Sequence, residues 1–330
     1  MVDRLVLVTG ATGYIGTALV PLLAKHYHVR TLDTETFGNA IAGTSNVEFQ
    51  RGDIRNPMAV TRALDGVTDI IHLAGIVTDD LVDLNLDFGR QVNEDALEML
   101  CRMAADRGVG RLVYASSSSV YGSQPMGTDG SPVPATEVTQ PLPMTEYART
   151  KLRGEEIVRK YQDRMTVVAI RSATACGPAP RMRADTIVNT FSGQAYFHRE
   201  ITVHGGVQWR SNIHVADVAA LYKFLLGISA DAINGQIFNA TRSNHTALGL
   251  AEMVLDVIPC KLTIQPDKAD PRNYSMAANK LLGVLGWRPL HTIHDAIRDN
   301  LHWFEAGHLK DWDDPIYWNT RRMRDIVLEG

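Results

Sequence analysis

Short apolar runs rich in β-branched residues recur through the first half of the chain, over 5–8, 29–32, 47–50, 70–73, 112–115 and 167–170. Between most of them the apolar positions repeat every three to four residues, which predicts helices over 14–26, 58–64, 86–107 and 146–161. The runs are nearly continuous rather than alternating, so the strands they predict are buried on both faces. Strands alternating with amphipathic helices imply an α/β fold, a parallel sheet with helices on either side. After residue 172 the rhythm changes: Gly177, Pro178 and Pro180 break it, and short strands then mix with helical stretches such as 214–226 and 248–257. The expected organisation is a first domain over 1–173 and a smaller mixed α/β domain over 174–330, with a strand near 236–240 returning to the first. The second domain would cover the carboxyl ends of the parallel strands, where ligands bind in open α/β sheets. The Pro-, Gly-, Ser- and Thr-rich stretch 124–143 reads as one long loop.

Composition narrows the class. The chain has 330 residues, 45% of them hydrophobic and 21% charged, as soluble globular proteins do. Its net charge of −4 makes it a poor partner for nucleic acid, while leaving room for a local basic pocket. The apolar run 5–8 is too short for a signal peptide or a membrane span, and no other stretch is long and apolar enough, so no membrane partner is expected. Cys101, Cys176 and Cys260 show no metal or redox spacing; reduced thiols and a cytoplasmic location are the expectation. His291 and His294 fall three apart ahead of a helical pattern, which suits a helix start rather than a zinc site, and no metal is expected.

The strongest local signal follows the first strand: Thr9-Gly10-Ala11-Thr12-Gly13-Tyr14-Ile15-Gly16. Gly10 permits the tight turn, Gly13 lets the backbone approach a pyrophosphate, and Gly16 lets the helix pack close to the strand. The helix N-terminus, with Tyr14 and Ile15 in its first turn, offers free N–H groups to that anion. This is the phosphate cradle of a Rossmann-type doubly wound sheet. Asp33, at the end of the second strand, can accept hydrogen bonds from ribose hydroxyls and repels a 2′-phosphate, which favours NAD over NADP. Asp53, after the third strand and beside Ile54, suits either the adenine edge or the N-cap of the next helix.

A second signal concerns proton transfer. Tyr147 and Lys151 lie four apart, on one face of a predicted helix. A free tyrosine, with a pKa of about 10, is a weak base near neutrality, and an adjacent ammonium is expected to lower that value. Lys151 could also bind the nicotinamide ribose. The run Ser116-Ser117-Ser118-Ser119-Val120-Tyr121-Gly122 closes the fifth strand, where a hydroxyl can reach a substrate oxygen.

Together these motifs resemble the extended short-chain dehydrogenase/reductases, in their NAD-dependent epimerase/dehydratase branch. The resemblance covers nearly the whole chain. It rests also on His72-Leu73-Ala74-Gly75, Asn93, Arg171 through Gly177-Pro178, and His214-Val215-Ala216-Asp217-Val218. It implies that Ser117 is catalytic with Tyr147 and Lys151, and that Leu73, Ala74, Gly75, Asn93 and Ser116 help hold NAD. It further implies that Arg171 to Thr174 lie near the nicotinamide and the sugar, with Ser118 and Thr174 among the substrate contacts. Val203-His-Gly-Gly-Val-Gln-Trp-Arg210 is similar to the family's nucleotide-holding strand and loop, and Asp270-Pro-Arg272-Asn-Tyr274 to a second diphosphate contact, so Arg210 and Arg272 are expected on the diphosphate. Arg181, with Arg183, would add positive charge near the sugar pocket.

The implied substrate is a nucleoside-diphosphate sugar, oxidised at C4. Family dehydratases carry Asp-Glu directly after the catalytic hydroxyl residue, and decarboxylases of sugar acids tend to carry Glu at the second of those positions. Ser118 and Ser119 stand there, which favours a 4-epimerase working through a transient 4-keto sugar. A 4-ketoreductase, a dehydratase and a dinucleotide-sensing regulator remain as rival readings. Cys176 in place of the usual Tyr, and Thr174 where many epimerases have Asn, leave the sugar open. Relatives usually form homodimers through a four-helix bundle of the segments equivalent to 86–107 and 146–161. Leu97, Leu100 and Met103 suit either that face or the sheet-facing core.

Overall fold

The computed structural model describes residues 4–128, 130–266 and 272–329. The predicted apolar runs become parallel strands: β1 (Leu5–Thr9), β2 (His28–Asp33), β3 (Val47–Arg51), β4 (Asp69–His72), β5 (Arg111–Ser117) and β6 (Thr166–Ser172). After the short β7 (Thr174–Cys176), β8 (Glu200–His204) and β9 (Trp209–His214), the chain returns as β10 (Gln236–Ala240) to pair in parallel with β6. The main sheet therefore has seven strands in the order β10-β6-β5-β4-β1-β2-β3. The order reverses between β1 and β4, and the carboxyl ends of those strands open a crevice there. Strands such as β4, buried at every residue, leave no polar face to solvent, as a sheet covered on both sides requires.

One face of the sheet packs on helices Pro57–Ala63, Ala96–Asp106 and Glu146–Arg159, the other on Tyr14–Ala24 and Val215–Leu226. Leu97 and Leu100 are fully buried in the first of these cores, and Met103 packs against it. Burying such a side chain is worth about 1.5–3 kcal/mol, so Leu97 and Leu100 serve the sheet-facing core, while Met103 is only partly buried. The remaining strands, β11 (Ser243–Thr246) and β12 (Lys261–Gln265), complete a three-stranded sheet β11-β9-β7 and a two-stranded sheet β12-β8. Helices Ile187–Gly193, Ala247–Leu255 and Ile293–Glu305 pack a separate core around β8.

The helix predicted over 86–107 is not continuous. It runs as Leu86–Arg90, a π-helical turn Gln91–Asp95, and Ala96–Asp106. The extra residue of the π turn accompanies an inward Asn93, whose Oδ1 accepts from Ile76 N (2.8 Å) and whose Nδ2 donates to Ile76 O and Thr150 Oγ1. The described residues of stretch 124–143 are irregular, with isolated bridges Met126–Pro132 and Ala135–Met276. No described helix is long and apolar enough to cross a membrane.

Candidate functional site

The crevice at the strand-order reversal is a cleft of about 810 Å³, within the range of sites for small ligands. Its floor is the glycine loop. Gly10 has φ +71°, and a Cβ there would stand 2.6 Å from Ala74 N. At Gly16 a Cβ would stand 2.5 Å from the carbonyl oxygens of Gly10 and Ala11. Gly13 marks the start of helix Tyr14–Ala24 and makes no side-chain cap, so the first-turn N–H groups are left for a ligand. Gly10, Gly13, Tyr14, Ile15 and Gly16 all line the cleft, as do Asp33, Asp53, Ile54, Leu73, Ala74, Gly75 and Ser116. Asp33 Oδ2 accepts from Thr12 N (2.9 Å) and its Oδ1 from Glu35 N (2.8 Å), which fixes the carboxylate at the end of the loop. The cap of helix Pro57–Ala63 is Asn56, not Asp53, whose carboxylate pairs with Arg55 at 2.8 Å. The Ser116 hydroxyl donates to Glu155 (2.5 Å), so only the rest of that residue faces the cleft.

Opposite the loop stand Ser117, Tyr147 and Lys151. Thr145 caps helix Glu146–Arg159 through Ala148 N (3.2 Å), which places Tyr147 in its first turn. Gly154 lets this helix approach β5, since a Cβ there would lie 2.1 Å from the Tyr114 hydroxyl. That approach lets Lys151 Nζ reach Ala115 O at 2.9 Å, with Nζ 6.0 Å from the centre of the Tyr147 ring. Ser117 acts on the Tyr147 hydroxyl in the direction that favours its ionised form. Ser117 Oγ also accepts from Ser119 Oγ at 2.9 Å, and Ser118 Oγ lies 3.5 Å from Tyr274 Oη.

The expected lowering of the tyrosine is not found. Burial pushes the Tyr147 hydroxyl up to about 12, opposed by the Ser117 hydrogen bond and the charge of Arg183. Burial pushes Lys151 down to about 8, opposed by Glu155. One N–H of the ammonium is held by the Ala115 carbonyl, and burial is the dominant influence on the tyrosine.

Other placements also need correction. Asn93 is absent from the cleft wall and is committed to Ile76 and Thr150, so it braces the segment after Gly75 and the helix of Tyr147. Arg171 points into the core, paired with Glu155 at 2.7 Å and bonded to Tyr121 at 2.9 Å, rather than toward the nicotinamide and sugar positions. Arg181 sits above the first turn of helix Tyr14–Ala24: its backbone N donates to Thr17 Oγ1 (3.1 Å) and its guanidinium lies over the Phe37 ring. The cation that acts on Tyr147 is Arg183, paired with Asp185 at 2.6 Å.

Thr174, Arg210 and Arg272 do line the cleft. Arg210 Nη1 donates to Trp209 O and to Arg272 O (2.6 Å), and Arg272 pairs with Asp79, joining the two sides of the cleft. Asp270 and Pro271 lie outside the described residues. Sequence reasoning missed Thr186 and the C-terminal helix Asn319–Glu329, of which Asn319, Thr320, Met323 and Ile326 line the cleft. Only the 320, 323, 326 spacing could have hinted at a face, and nothing local says what that face meets.

The groove fits a dinucleotide on observations of its own. Thr78 Oγ1, Asp79 Oδ1, Arg181 Nε and Thr186 Oγ1 line the cleft, are buried, and have no hydrogen-bond partner among the described residues. Buried polar atoms are ordinarily paired, so such a set belongs to a binding surface.

Comparison with known proteins agrees with this geometry. A family model described as the NAD dependent epimerase/dehydratase family matches residues 6–241. The chain is 26% identical to the UDP-glucose 4-epimerase of Corynebacterium glutamicum, over 87% of this chain and 91% of that one. It is 25% identical to the dTDP-D-glucose 4,6-dehydratase of Bos taurus, over 92% and 89%. The solved structure of Thermus thermophilus UDP-glucose 4-epimerase in complex with NAD matches with a TM-score of 0.78 and 25% identity, over 92% of this chain and 99% of that one.

Proposed function

Because this chain belongs to the NAD-dependent epimerase/dehydratase family, whose cofactor is NAD, we propose that it is a 4-epimerase of a nucleoside-diphosphate sugar. The reading is carried by one observation, the replacement of an elimination pair by hydroxyls. Ser118 and Ser119 stand directly after Ser117, and both hydroxyls face other hydroxyl groups. A dehydratase must protonate a leaving hydroxyl and remove a proton beside the ketone, which a serine cannot do near neutral pH. The similarity to an epimerase and to a dehydratase is equally distant, so it does not separate the two.

NAD supplies the hydride acceptor when bound. In this reading Tyr147 would take the proton from the C4 hydroxyl, and Ser117 would hold the oxygen. Lys151 orients the cofactor ribose. Once the 4-keto sugar has turned in the cleft, Tyr147 would give the proton back to the C4 oxygen. Arg210 and Arg272 hold the diphosphate, with Ser118 and Thr174 near the sugar. Asp33 and the glycine loop hold the adenosine half of NAD.

The test is incubation with UDP-, TDP-, GDP- and CDP-sugars without added reductant, followed by product analysis by NMR. A stereoisomer of equal mass is expected. An accumulating 4-keto-6-deoxy sugar would make the protein a dehydratase, and consumption of a 4-keto sugar only with NADH or NADPH would make it a reductase.

The proposed assembly is a cytoplasmic homodimer, formed through the outer faces of helices Ala96–Asp106 and Glu146–Arg159. Those faces carry half-exposed Met99 and Met103 among the ion pairs Arg153–Glu94 and Lys160–Glu98. Sedimentation equilibrium should read twice the chain mass, and a monomer would sink the bundle. Cell fractionation checks the location.

A further inference from the structure

We infer that the C-terminal segment from Trp312 onward is a wall of the dinucleotide groove, and that Arg181, held by Asn319 and Phe37, is the cation that this wall presents to the adenosine diphosphate half of NAD. The inference rests on the groove's holding NAD and goes beyond the glycine loop and Asp33.

The segment is firmly seated. Trp312 fills the space beside Gly193, where a Cβ would stand 2.1 Å from its ring. Trp318 Nε1 donates to Trp312 O (2.7 Å), and Ala184 N donates to Tyr317 O (2.8 Å). Asn319 N then donates to Asp185 Oδ2 (3.1 Å) at the start of helix Asn319–Glu329. The helix crosses the mouth of the groove. Arg322 Nε donates to Thr36 O (2.8 Å), in the loop after β2, and Val327 O accepts from Asn85 Nδ2 (3.0 Å), in the segment after β4. Thr320, Met323 and Ile326 of this helix line the cleft.

Arg181 sits where this wall meets the phosphate cradle. Its backbone is tied to Thr17 in the first helical turn, and its guanidinium centre lies 3.7 Å from the centre of the Phe37 ring. Nη2 donates to Asn319 Oδ1 (2.5 Å). The residue is only 4% exposed, yet its buried Nε has no partner among the described residues. Burial and the neighbouring Arg183 push this arginine down to about 9, opposed by Asp185, Tyr14 and Asp33. A guanidinium desolvated to that degree carries a cost that an anion bonded to its unpartnered Nε would offset. The pyrophosphate expected at the adjacent helix N-terminus is such an anion.

The test uses the full chain loaded with NAD. Release is followed after dilution into excess labelled NAD, and the binding of ADP and of nicotinamide mononucleotide is measured by calorimetry. Arg181→Met should speed NAD release and weaken ADP binding by about tenfold to a hundredfold, the size of one lost charge-assisted hydrogen bond. Nicotinamide mononucleotide binding should stay within about twofold of wild type, well under the effect of one hydrogen bond. Asn319→Ala should act in the same direction but add nothing to Arg181→Met, because it works through that side chain. Arg181→Lys should recover part of the loss, which separates charge from packing. Unchanged NAD release and ADP binding in both Arg181→Met and Asn319→Ala would overturn the inference. Wild-type protein that binds no NAD would instead overturn the reading of the groove.

Discussion

Tyr147→Phe should lower turnover by about a thousandfold, the middle of the range for one general acid–base group, while the protein stays folded and keeps its NAD. The hydroxyl removed has Ser117 as its electrostatic partner, and the phenylalanine ring fills the same buried space. Losing one hydrogen bond of this kind costs about 1 kcal/mol of stability, too little to unfold a domain. The effect should fall on kcat rather than on KM, because the proton transfer is made only in the transition state. The pH profile of the wild type carries a sign as well. With the hydroxyl held up at about 12, the phenolate is the minor form near neutrality. On this account the rate rises by about tenfold per pH unit on the acid limb. Turnover within tenfold of wild type in Tyr147→Phe would remove this residue from the reaction.

Glu155→Gln should cost about 3–5 kcal/mol of folding free energy, the usual penalty for stranding a buried charge. Glu155 and Arg171 are 5% and 3% exposed. Glu155 Oε1 accepts from Arg171 Nε (2.9 Å) and Oε2 from Arg171 Nη2 (2.7 Å), and Oε1 also accepts from Ser116. Arg171 continues to Tyr121, whose hydroxyl donates to Asn239 Oδ1 at 2.7 Å. One chain of bonds thus ties the helix of Tyr147 and Lys151 to β5, β6 and β10. A neutral amide leaves the guanidinium uncompensated, whereas the pair Glu155→Leu with Arg171→Met removes both charges and should recover most of the loss. Urea unfolding at fixed NAD concentration reads both. A loss below about 1 kcal/mol in Glu155→Gln, no more than an ordinary substitution costs, would show that the pair is solvated in solution. If the double replacement is stable but slow, the pair's role is to set the register of the helix that carries Tyr147.

Much of the cradle was legible because its logic is local. Gly10, Gly13 and Gly16 are required by backbone turns and close approaches inside one strand-turn-helix unit, and Asp33 ends the very next strand. The same holds for Tyr147 and Lys151, four apart on one helix. Their titration was not legible. Lys151 is drawn to Ala115 O by a strand that its own segment does not contain, and the burial that raises Tyr147 depends on the whole sheet.

Arg181 and Arg183 show the limit most directly. They are two residues apart and chemically alike, yet the first stacks on Phe37 near Asp33 while the second acts on Tyr147. Asn93 is similar, since a π turn rotates its amide onto Ile76. By itself the amino-acid sequence determined the parallel α/β core, the glycine-rich strand-to-helix turn and the tyrosine–lysine pair, because short-range periodicity and spacing encode them. Only the tertiary structure decided that Arg181 stacks on Phe37 while Arg183 acts on Tyr147, how burial sets the tyrosine, and that the last helix lines the groove. Those outcomes depend on contacts between segments as far apart as Thr36 and Arg322, and no local pattern records such a contact.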